Sequence, residues 1–150
     1  MNDAEKALRQ GLIGAWLLES WEVEYGDGRI TQPFGADAHG LIIYAADGWM
    51  SATMSASART SLDAATPAAS SLESRAAVFA EYLAYGGRWS LQGETIVHRV
   101  THSVNPVLIG TSQRRDASLV GDALLLQAVE PLPRPRTHRI RWRRASGSAK

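Results

Sequence analysis

Three residues, His98, Gln113 and Arg115, combine chemically useful side chains with the alternation typical of β-strands. His98 alternates with aliphatic residues in segment 95–102, so it shares a face with apolar side chains. In segment 112–119 the even positions are polar, which leaves Gln113 and Arg115 on the opposite, mixed face. An imidazole, an amide and a guanidinium are therefore expected to point into an apolar interior. Because buried polar groups are unfavourable unless they are paired, this cluster predicts a cavity that holds a ligand.

The buried guanidinium has two expected partners. A short connection makes the two segments antiparallel neighbours, and one permitted register sets His98 opposite Arg115. Counting by twos from Trp16 places Glu22 on the inner face, so a Glu22–Arg115 ion pair is one expectation. The other is a ligand carboxylate or enolate-like oxygen bound by Arg115 and Gln113. In an enzyme, His98 and Glu22 would be the catalytic residues, because histidine ionises near neutral pH.

The remaining candidate residues do not indicate a metal or a cofactor. His98 and His102 are four residues apart, a spacing that joins two ligands on a helix but separates them by about 13 Å on a strand. His102 is therefore expected at the rim of the interior. The sequence has no phosphate-binding loop, dinucleotide fingerprint or serine-hydrolase elbow, so we expect no cofactor and disfavour kinases, dehydrogenases and serine hydrolases.

Length and composition limit the function classes further. The chain has 150 residues and a hydrophobic fraction of 45%, which predicts one domain over residues 1–150. A net charge of +1 provides no field that attracts nucleic acid or anionic membranes, so neither is expected as a partner. There is no cysteine for disulfides or metal thiolates. No apolar segment resembles a membrane span or a signal sequence, and the expected location is the cytoplasm.

Charged residues are unevenly distributed along the chain. Glu22 and Glu24 lie in the first strand-like segment, whereas Arg139, Arg141 and Arg143 lie in the last. Two such segments can pair across strands if the sheet closes on itself. The alternative, a nucleic-acid-binding stripe, is disfavoured because no aromatic residue shares the face of these arginines.

The clearest local signal is a hairpin centred on Asp47-Gly48, the preferred two-residue turn between apolar segments. Such a turn would set Ala46 opposite Trp49 and would fix the register of both strands. One face then contains only apolar residues, which we expect to face the cavity: Leu41, Ile43, Ala45, Met50, Ala52 and Met54. Its methionines are either core filling or an adaptable wall for a flexible ligand.

Two helices accompany the strands. A short N-terminal helix is predicted over residues 2–10. A second helix is predicted near residues 71–85, ended by Gly86-Gly87, and its apolar side would place Phe79 in the wall of the cavity. Elsewhere, strand follows strand at short spacing, which favours an all-β fold with an antiparallel barrel over a layered α/β fold.

Several segments together resemble the lipocalin-like domain family of small bacterial and fungal single-domain proteins. The resemblance covers most of the chain and is carried by Leu12-Ile13-Gly14-Ala15-Trp16, Pro33-Phe34-Gly35, Gly40-Leu41-Ile42-Ile43-Tyr44, Asp47-Gly48-Trp49-Met50, Tyr85-Gly86-Gly87, His98 with Val100, Gly110-Thr111, Gln113, Arg115, Trp142 and Arg144. It implies a lipocalin-like β-barrel in which Trp16 contacts Arg144 at a closed end. It implies less about function, since such domains occur as uncharacterised proteins and as small-molecule enzymes.

Two hypotheses of function use the predicted cavity. The first is a binding module that holds a small, mostly apolar molecule, whose polar or anionic end contacts His98, Gln113 and Arg115. The second is a cofactor-independent acid–base enzyme, such as an isomerase, a dehydratase or other lyase, or a cyclase, acting on a small hydrophobic substrate. In that enzyme His98 and Glu22 would transfer protons, and Arg115 and Gln113 would stabilise the developing charge.

A third hypothesis needs no ligand. The barrel would be a self-associating scaffold with a filled core. Its homodimer would form through aromatic residues exposed on the surface, and the candidates are Trp49, Tyr44 and Trp21.

Overall fold

Eight antiparallel strands close into a barrel in the computed structural model, which describes residues 1–131 and 133–145. In chain order its elements are α1 (Asp3–Leu12), β1 (Gly14–Tyr25), β2 (Ile30–Thr31), β3 (His39–Tyr44), β4 (Trp49–Ser55), α2 (Leu72–Ala80), β5 (Tyr82–Gln92), β6 (Thr95–Ser103), a 3-10 turn (Pro106–Leu108), β7 (Ser112–Val120), β8 (Ala123–Glu130) and β9 (Arg136–Arg144). The two-residue β2 pairs with the end of β1 and lies outside the eight. The other strands pair in chain order, and β9 returns to β1. The predicted all-β barrel is confirmed.

The pairing of β1 with β9 contains an irregularity that reverses the faces of β1. One extra residue lies between Leu18 and Ser20, so the strand bulges at that point. Trp16 and Leu18 are buried before the bulge, and Val23 is buried after it. The inward positions therefore change from even to odd numbers partway along the strand.

Glu22 consequently lies on the outer face, and the prediction that it faces the interior is wrong. Its carboxylate accepts a hydrogen bond from Arg141 at 2.8 Å. Glu24, two residues further on, accepts one from Arg139 at 2.6 Å. These two ion pairs confirm that the acidic first strand and the basic last strand pair across the seam of the barrel.

Helix α1 covers one end of the barrel. Arg9 donates a hydrogen bond to the carbonyl oxygen of Ala46 at 3.2 Å, in the connection between β3 and β4. The Glu5 carboxylate accepts one from the backbone N–H of Gly93 at 2.9 Å, in the turn between β5 and β6. The helix is thus attached to two hairpins on the same end. The predicted N-terminal helix is confirmed, although it ends at residue 12 instead of residue 10.

One arginine joins the end of α1 to the closing strands. The guanidinium carbon of Arg144 lies 4.2 Å from the ring centre of Trp16. Its nitrogens also donate to the carbonyl oxygens of Gly11 at 2.6 Å and Ile13 at 3.3 Å. The Trp16 indole N–H donates to the carbonyl oxygen of Leu12 at 2.9 Å. The predicted contact between Trp16 and Arg144 at a closed end is confirmed.

The hairpin of β3 and β4 has a three-residue loop instead of the predicted two-residue turn. The backbone N–H of Ala45 donates to the carbonyl oxygen of Trp49 at 2.8 Å, so these two residues face each other. Gly48 has a φ of 92°, a conformation that favours glycine and that ends a common class of three-residue loops. The strands are therefore shifted by one residue from the predicted register.

The shift leaves the faces of β4 unchanged and reverses those of β3. The inward residues of β4 are buried as predicted: Met50, Ala52 and Met54. In β3, Ile42 and Tyr44 are buried, whereas Leu41 and Ile43 are 37% and 40% exposed on the outside. The prediction that Leu41 and Ile43 face the cavity is wrong, because a slip of one residue turns every side chain to the other face.

Helix α2 is shorter than the predicted helix over 71–85. It spans Leu72–Ala80, and β5 begins two residues later. Gly86 and Gly87, predicted to end the helix, lie within β5 at a bulge opposite β6. A Cβ atom at Gly87 would overlap the carbonyl oxygen of Arg99, so the close approach of the two backbones requires glycine.

We predict that Arg144→Met destabilises the barrel by about 2–4 kcal/mol, because it removes a cation–π contact and a charged donor to two carbonyl oxygens. Urea unfolding measured by circular dichroism would give this value. Arg143→Met is the matched control, because Arg143 is exposed on the opposite face of the same strand. We expect the control to change stability by less than about 0.5 kcal/mol. Equal effects of the two substitutions would contradict this role of Arg144.

Candidate functional site

A cavity of about 500 Å³ lies at the end of the barrel opposite α1. It reaches the connection after β6, where Asn105 and Leu108 line it, and the end of β8, where Glu130 does. Most of its wall is apolar or aromatic: Trp21, Ile42, Ala52, Met54, Leu83, Leu126, Ala128, Val129, Ile140 and Trp142. Its volume falls in the range of about 300–1,000 Å³ that is typical of small-molecule sites.

A buried histidine between two tyrosines forms the polar centre of this cavity. The Tyr44 hydroxyl lies 2.8 Å from Nε2 of His98, and the Tyr85 hydroxyl lies 2.6 Å from Nδ1. His98 and Tyr85 line the cavity, whereas Tyr44 is fully buried behind them. Trp89 fixes the Tyr44 ring by packing against it at 4.9 Å between ring centres. Both imidazole nitrogens are therefore engaged by hydroxyl groups.

The surroundings keep all three groups uncharged at neutral pH. Burial, together with the nearby positive charge of Arg115, lowers the pKa of His98 from 6.5 to about 3. Burial also raises the pKa of Tyr44 and that of Tyr85 above the ordinary value for tyrosine. The expectation that His98 ionises near neutral pH is therefore wrong. Instead, His98 is a neutral ring that donates one hydrogen bond and accepts another.

Arg115 supplies the positive charge of the cavity. It lies on β7 opposite Ile96, whereas Gln113 lies opposite His98. The predicted pairing of His98 with Arg115 is therefore wrong by two residues, a shift that keeps the same side chains on the inner face. One guanidinium nitrogen donates to the carbonyl oxygen of Arg114 at 2.8 Å. Within residues 1–131 and 133–145, no carboxylate forms an ion pair with Arg115. The predicted Glu22–Arg115 pair does not form.

Gln113 connects the polar centre to the mouth of the barrel. Its side-chain amide donates to the Thr111 hydroxyl at 2.9 Å, which in turn donates to the carbonyl oxygen of Leu108 at 2.6 Å. These bonds hold Gln113 against the cavity wall. Its remaining amide hydrogen and its carbonyl oxygen can contact a ligand.

A second polar cluster lies nearer the mouth. The Trp21 indole N–H donates to Nδ1 of His138 at 3.1 Å, and Nε2 of His138 lies 2.9 Å from the Glu130 carboxylate. Because an indole nitrogen only donates, Nδ1 has no proton and Nε2–H donates to Glu130. Arg136 donates to the other carboxylate oxygen. Burial lowers the pKa of His138, although Glu130 opposes the change.

Tyr44, Tyr85 and His138 are among the residues of these clusters that the sequence-based site lacks. Tyr44 was assigned to the outer face by the shifted hairpin register, and Tyr85 was assigned to the end of the helix. His138 alternates with Ile140 and Trp142 in the last strand, and this period-two pattern is the signal that could have identified it as inward.

The predicted apolar wall is only partly present. Met54 lines the cavity, whereas Met50 is buried in the core outside the lining. Ile43 points to the outer face of β3, as described above. Phe79 is 55% exposed on α2 and does not line this cavity, because α2 ends before it can cover the barrel interior. Ile42 and Tyr85 line the cavity instead.

Other predicted positions also differ. His102 is exposed, because the bulge between β5 and β6 turns it to the outside, where it lies over Gly86. Of the three aromatic residues proposed for a dimer surface, Trp49 is 46% exposed. Tyr44 is buried and Trp21 packs against Phe34 at the mouth, so neither is available for such a surface.

The described part of the chain contains neither a metal-binding cluster nor a helix that could span a membrane. Across residues 1–131 and 133–145 there is no group of three or more histidine, aspartate or glutamate side chains placed to hold a metal ion. Over the same ranges, no helix has the length and apolar character needed to cross a membrane.

Comparison with models of protein families gives a match over most of the chain. The family model of the lipocalin-like domain matches residues 13–145, which covers β1 to β9 and leaves α1 outside. A search of the curated proteins finds no match. The match therefore includes every residue of the two polar clusters.

We predict that His98 makes stability depend on pH. The unfolded chain binds a proton at this residue below about pH 6.5, whereas the folded protein does so only near pH 3, so the free energy of unfolding falls as the pH falls through this window. Between pH 6.5 and about 5 the contribution is about 1.5 kcal/mol. The free energy of unfolding, measured with urea at both pH values, should therefore fall less in His98→Gln than in the unmodified protein.

The control for this experiment is His102→Gln, which alters an exposed histidine on the same strand. The pH dependence of its free energy of unfolding should match that of the unmodified protein, because this variant keeps His98. An unaltered pH dependence in His98→Gln would show that the folded protein does not exclude the proton from His98.

Proposed function

The chain belongs to the lipocalin-like domain family, and from this premise we propose that its barrel binds a small, mostly apolar molecule with one anionic or polar end. Barrels of this kind suggest small-molecule binding in general. The chemistry of the bound molecule is inferred from the residues of the cavity.

The observation that carries the proposal is the position of Arg115. Arg115 is half-buried in the wall of a mostly apolar cavity and has no ion-pair partner among the residues that the structure describes. A charge in such surroundings is unfavourable unless a partner compensates it. An anionic or strongly polar group of a ligand would supply this partner, and Gln113 would add a second hydrogen bond.

The rest of the cavity favours an apolar body for the ligand. Its wall is built mainly from aliphatic and aromatic side chains, and Met54 can adapt to an irregular shape. Binding would remove apolar ligand surface from water at roughly 25 cal/mol per Å². A cavity of about 500 Å³ also argues against the scaffold hypothesis, which requires a filled interior.

A cofactor-independent acid–base enzyme is the second candidate. The observation that favours it is that Tyr85 lines the cavity with its hydroxyl 2.6 Å from Nδ1 of His98. Glu22 has no part in this version, because it lies outside the barrel. A neutral His98 would act by orienting Tyr85 instead of by donating a proton itself. Turnover of a co-purified compound distinguishes the enzyme from the binding module. If the protein is an enzyme, His98→Gln should still bind that compound but should not convert it.

Partners and location are proposed from the sequence. We expect the protein to act in the cytoplasm and to bind neither nucleic acid nor membranes. A homodimer, if formed, would use the outer face of β3 and β4, where Leu41, Ile43 and Trp49 are exposed.

To test the binding proposal, we would compare decanoate with methyl decanoate by isothermal titration calorimetry. The acid should bind more tightly than the ester, because only the acid presents a charge to Arg115. Arg115→Met should weaken decanoate binding by about 10- to 100-fold, the value of a hydrogen bond to a charged group, and should leave the ester nearly unchanged.

Arg99→Met is the control, because Arg99 is exposed on the outer face of β6 and does not line the cavity. It should bind both compounds like the unmodified protein. Native mass spectrometry of the purified protein provides an independent arm, since a co-purified apolar acid or related anion would support the proposal. Equal affinity for the acid and the ester would contradict an anionic end.

A further inference from the structure

The hydrogen-bonded series Tyr44, His98 and Tyr85 contains one more hydroxyl or imidazole hydrogen than it has hydrogen bonds. Two hydroxyl hydrogens and one imidazole hydrogen are available, but the series contains only two contacts, at 2.8 Å and 2.6 Å. A neutral imidazole accepts one contact and donates the other. One hydroxyl hydrogen therefore remains at an end of the series, on Tyr44 or on Tyr85.

The surroundings of the two tyrosines decide where this hydrogen lies. Tyr44 is fully buried, and its hydroxyl has no hydrogen-bond partner other than His98 in the part of the chain that the structure describes. A hydrogen left there would be a buried donor without an acceptor, which is unfavourable. Tyr85 instead lines the cavity. The favoured arrangement has Tyr44 donating to Nε2, Nδ1–H donating to Tyr85, and the free hydroxyl hydrogen of Tyr85 in the cavity.

Arg115 lines the same cavity as Tyr85 and His98, two residues along β7 from Gln113, which lies opposite His98. Its positive charge opposes the rise in the pKa of Tyr85 that burial causes, and it also acts on His98. One of its nitrogens is already engaged by the carbonyl oxygen of Arg114, so the guanidinium does not present all its donors to the cavity. A single ligand oxygen can accept from the Tyr85 hydroxyl and from one of the remaining guanidinium N–H groups.

We propose that Tyr85 donates a hydrogen bond to a single ligand oxygen beside Arg115, and that this pair selects the ionised form of an enol or a phenol. The proposal rests on the proposed function and specifies the class of ligand. Ionisation breaks only the O–H bond of the ligand, and its proton leaves to solvent. Tyr44 is a positioning residue, because it fixes the tautomer of His98 and thereby leaves Tyr85 as a donor.

The test uses substituted 2-naphthols of graded acidity, whose absorbance distinguishes the ionised from the neutral form. Bound to the unmodified protein, a naphthol should be ionised at a pH at which most of it is neutral in water. Tyr85→Phe should lower the ratio of ionised to neutral bound probe by about 10- to 100-fold. Arg115→Met should lower it as well.

Two further variants separate the proposal from a merely structural effect. Tyr44→Phe frees His98 to change tautomer and to accept from Tyr85, so the ratio should fall although residue 44 does not touch the probe. Tyr82→Phe is the matched control, because Tyr82 is partly exposed on the same strand and lies outside the cavity. It should leave the ratio unchanged. The methyl ether of 2-naphthol, which cannot ionise, should bind all folded variants within about twofold.

The outcomes distinguish this proposal from the one on which it rests. If the probes bind but both Tyr85→Phe and Tyr44→Phe keep the ratio of the unmodified protein, the role of Tyr85 is wrong and ligand binding stands. If neither the naphthols, nor their methyl ether, nor decanoate bind the unmodified protein, both proposals are wrong. Should Tyr85→Phe fail to fold, the ratio in Tyr44→Phe decides alone.

Discussion

The pairing of β1 with β9 closes the barrel, and the rest of the structure depends on this seam. Closure leaves no free edge among the eight strands, so their backbone groups are paired around the ring. On the outside, the seam brings the arginines of β9 to the glutamates of β1. On the inside, it brings Arg144 to Trp16 and to the carbonyl oxygens that follow α1. The same contact thus closes the sheet and attaches the helix that covers one end.

The interior becomes more polar from the closed end to the mouth. At the closed end, aromatic and aliphatic side chains such as Trp16 and Leu12 are fully buried. Midway, His98 and the two tyrosines satisfy one another as neutral groups, which avoids the high free energy of a buried charge. Arg115 adds a charge to the wall of the same cavity. At the mouth, His138, Glu130 and Arg136 compensate one another. Arg115, for which the described residues provide no ion-pair partner, therefore lies in the cavity wall, where a ligand can reach it.

Two errors in the sequence-based site, at Ile43 and Glu22, have a common cause. Ile43 was assigned to the inside because the turn at Asp47-Gly48 was counted with two residues instead of three. Glu22 was assigned to the inside because the bulge before Ser20 was not counted. In both cases one residue reverses a face, since side chains alternate strictly along a strand. His98, Gln113 and Arg115 escaped this error because no irregularity lies between the positions that define their face. The register error between their strands was two residues, which preserves the face.

The sequence by itself determined that the chain is an all-β barrel, that His98, Gln113 and Arg115 point inward, and which strands carry opposite charge. These features follow from local alternation and composition, because each depends on the residues of one segment. Only the tertiary structure decided that Tyr44 and Tyr85 meet His98, that Glu22 leaves Arg115 unpaired, and that His98 is neutral. Each of these depends on contacts between strands distant in the chain, and on the bulges and loop lengths that set their register. Burial then fixes the protonation of His98, because the free energy of charging a group depends on everything packed around it.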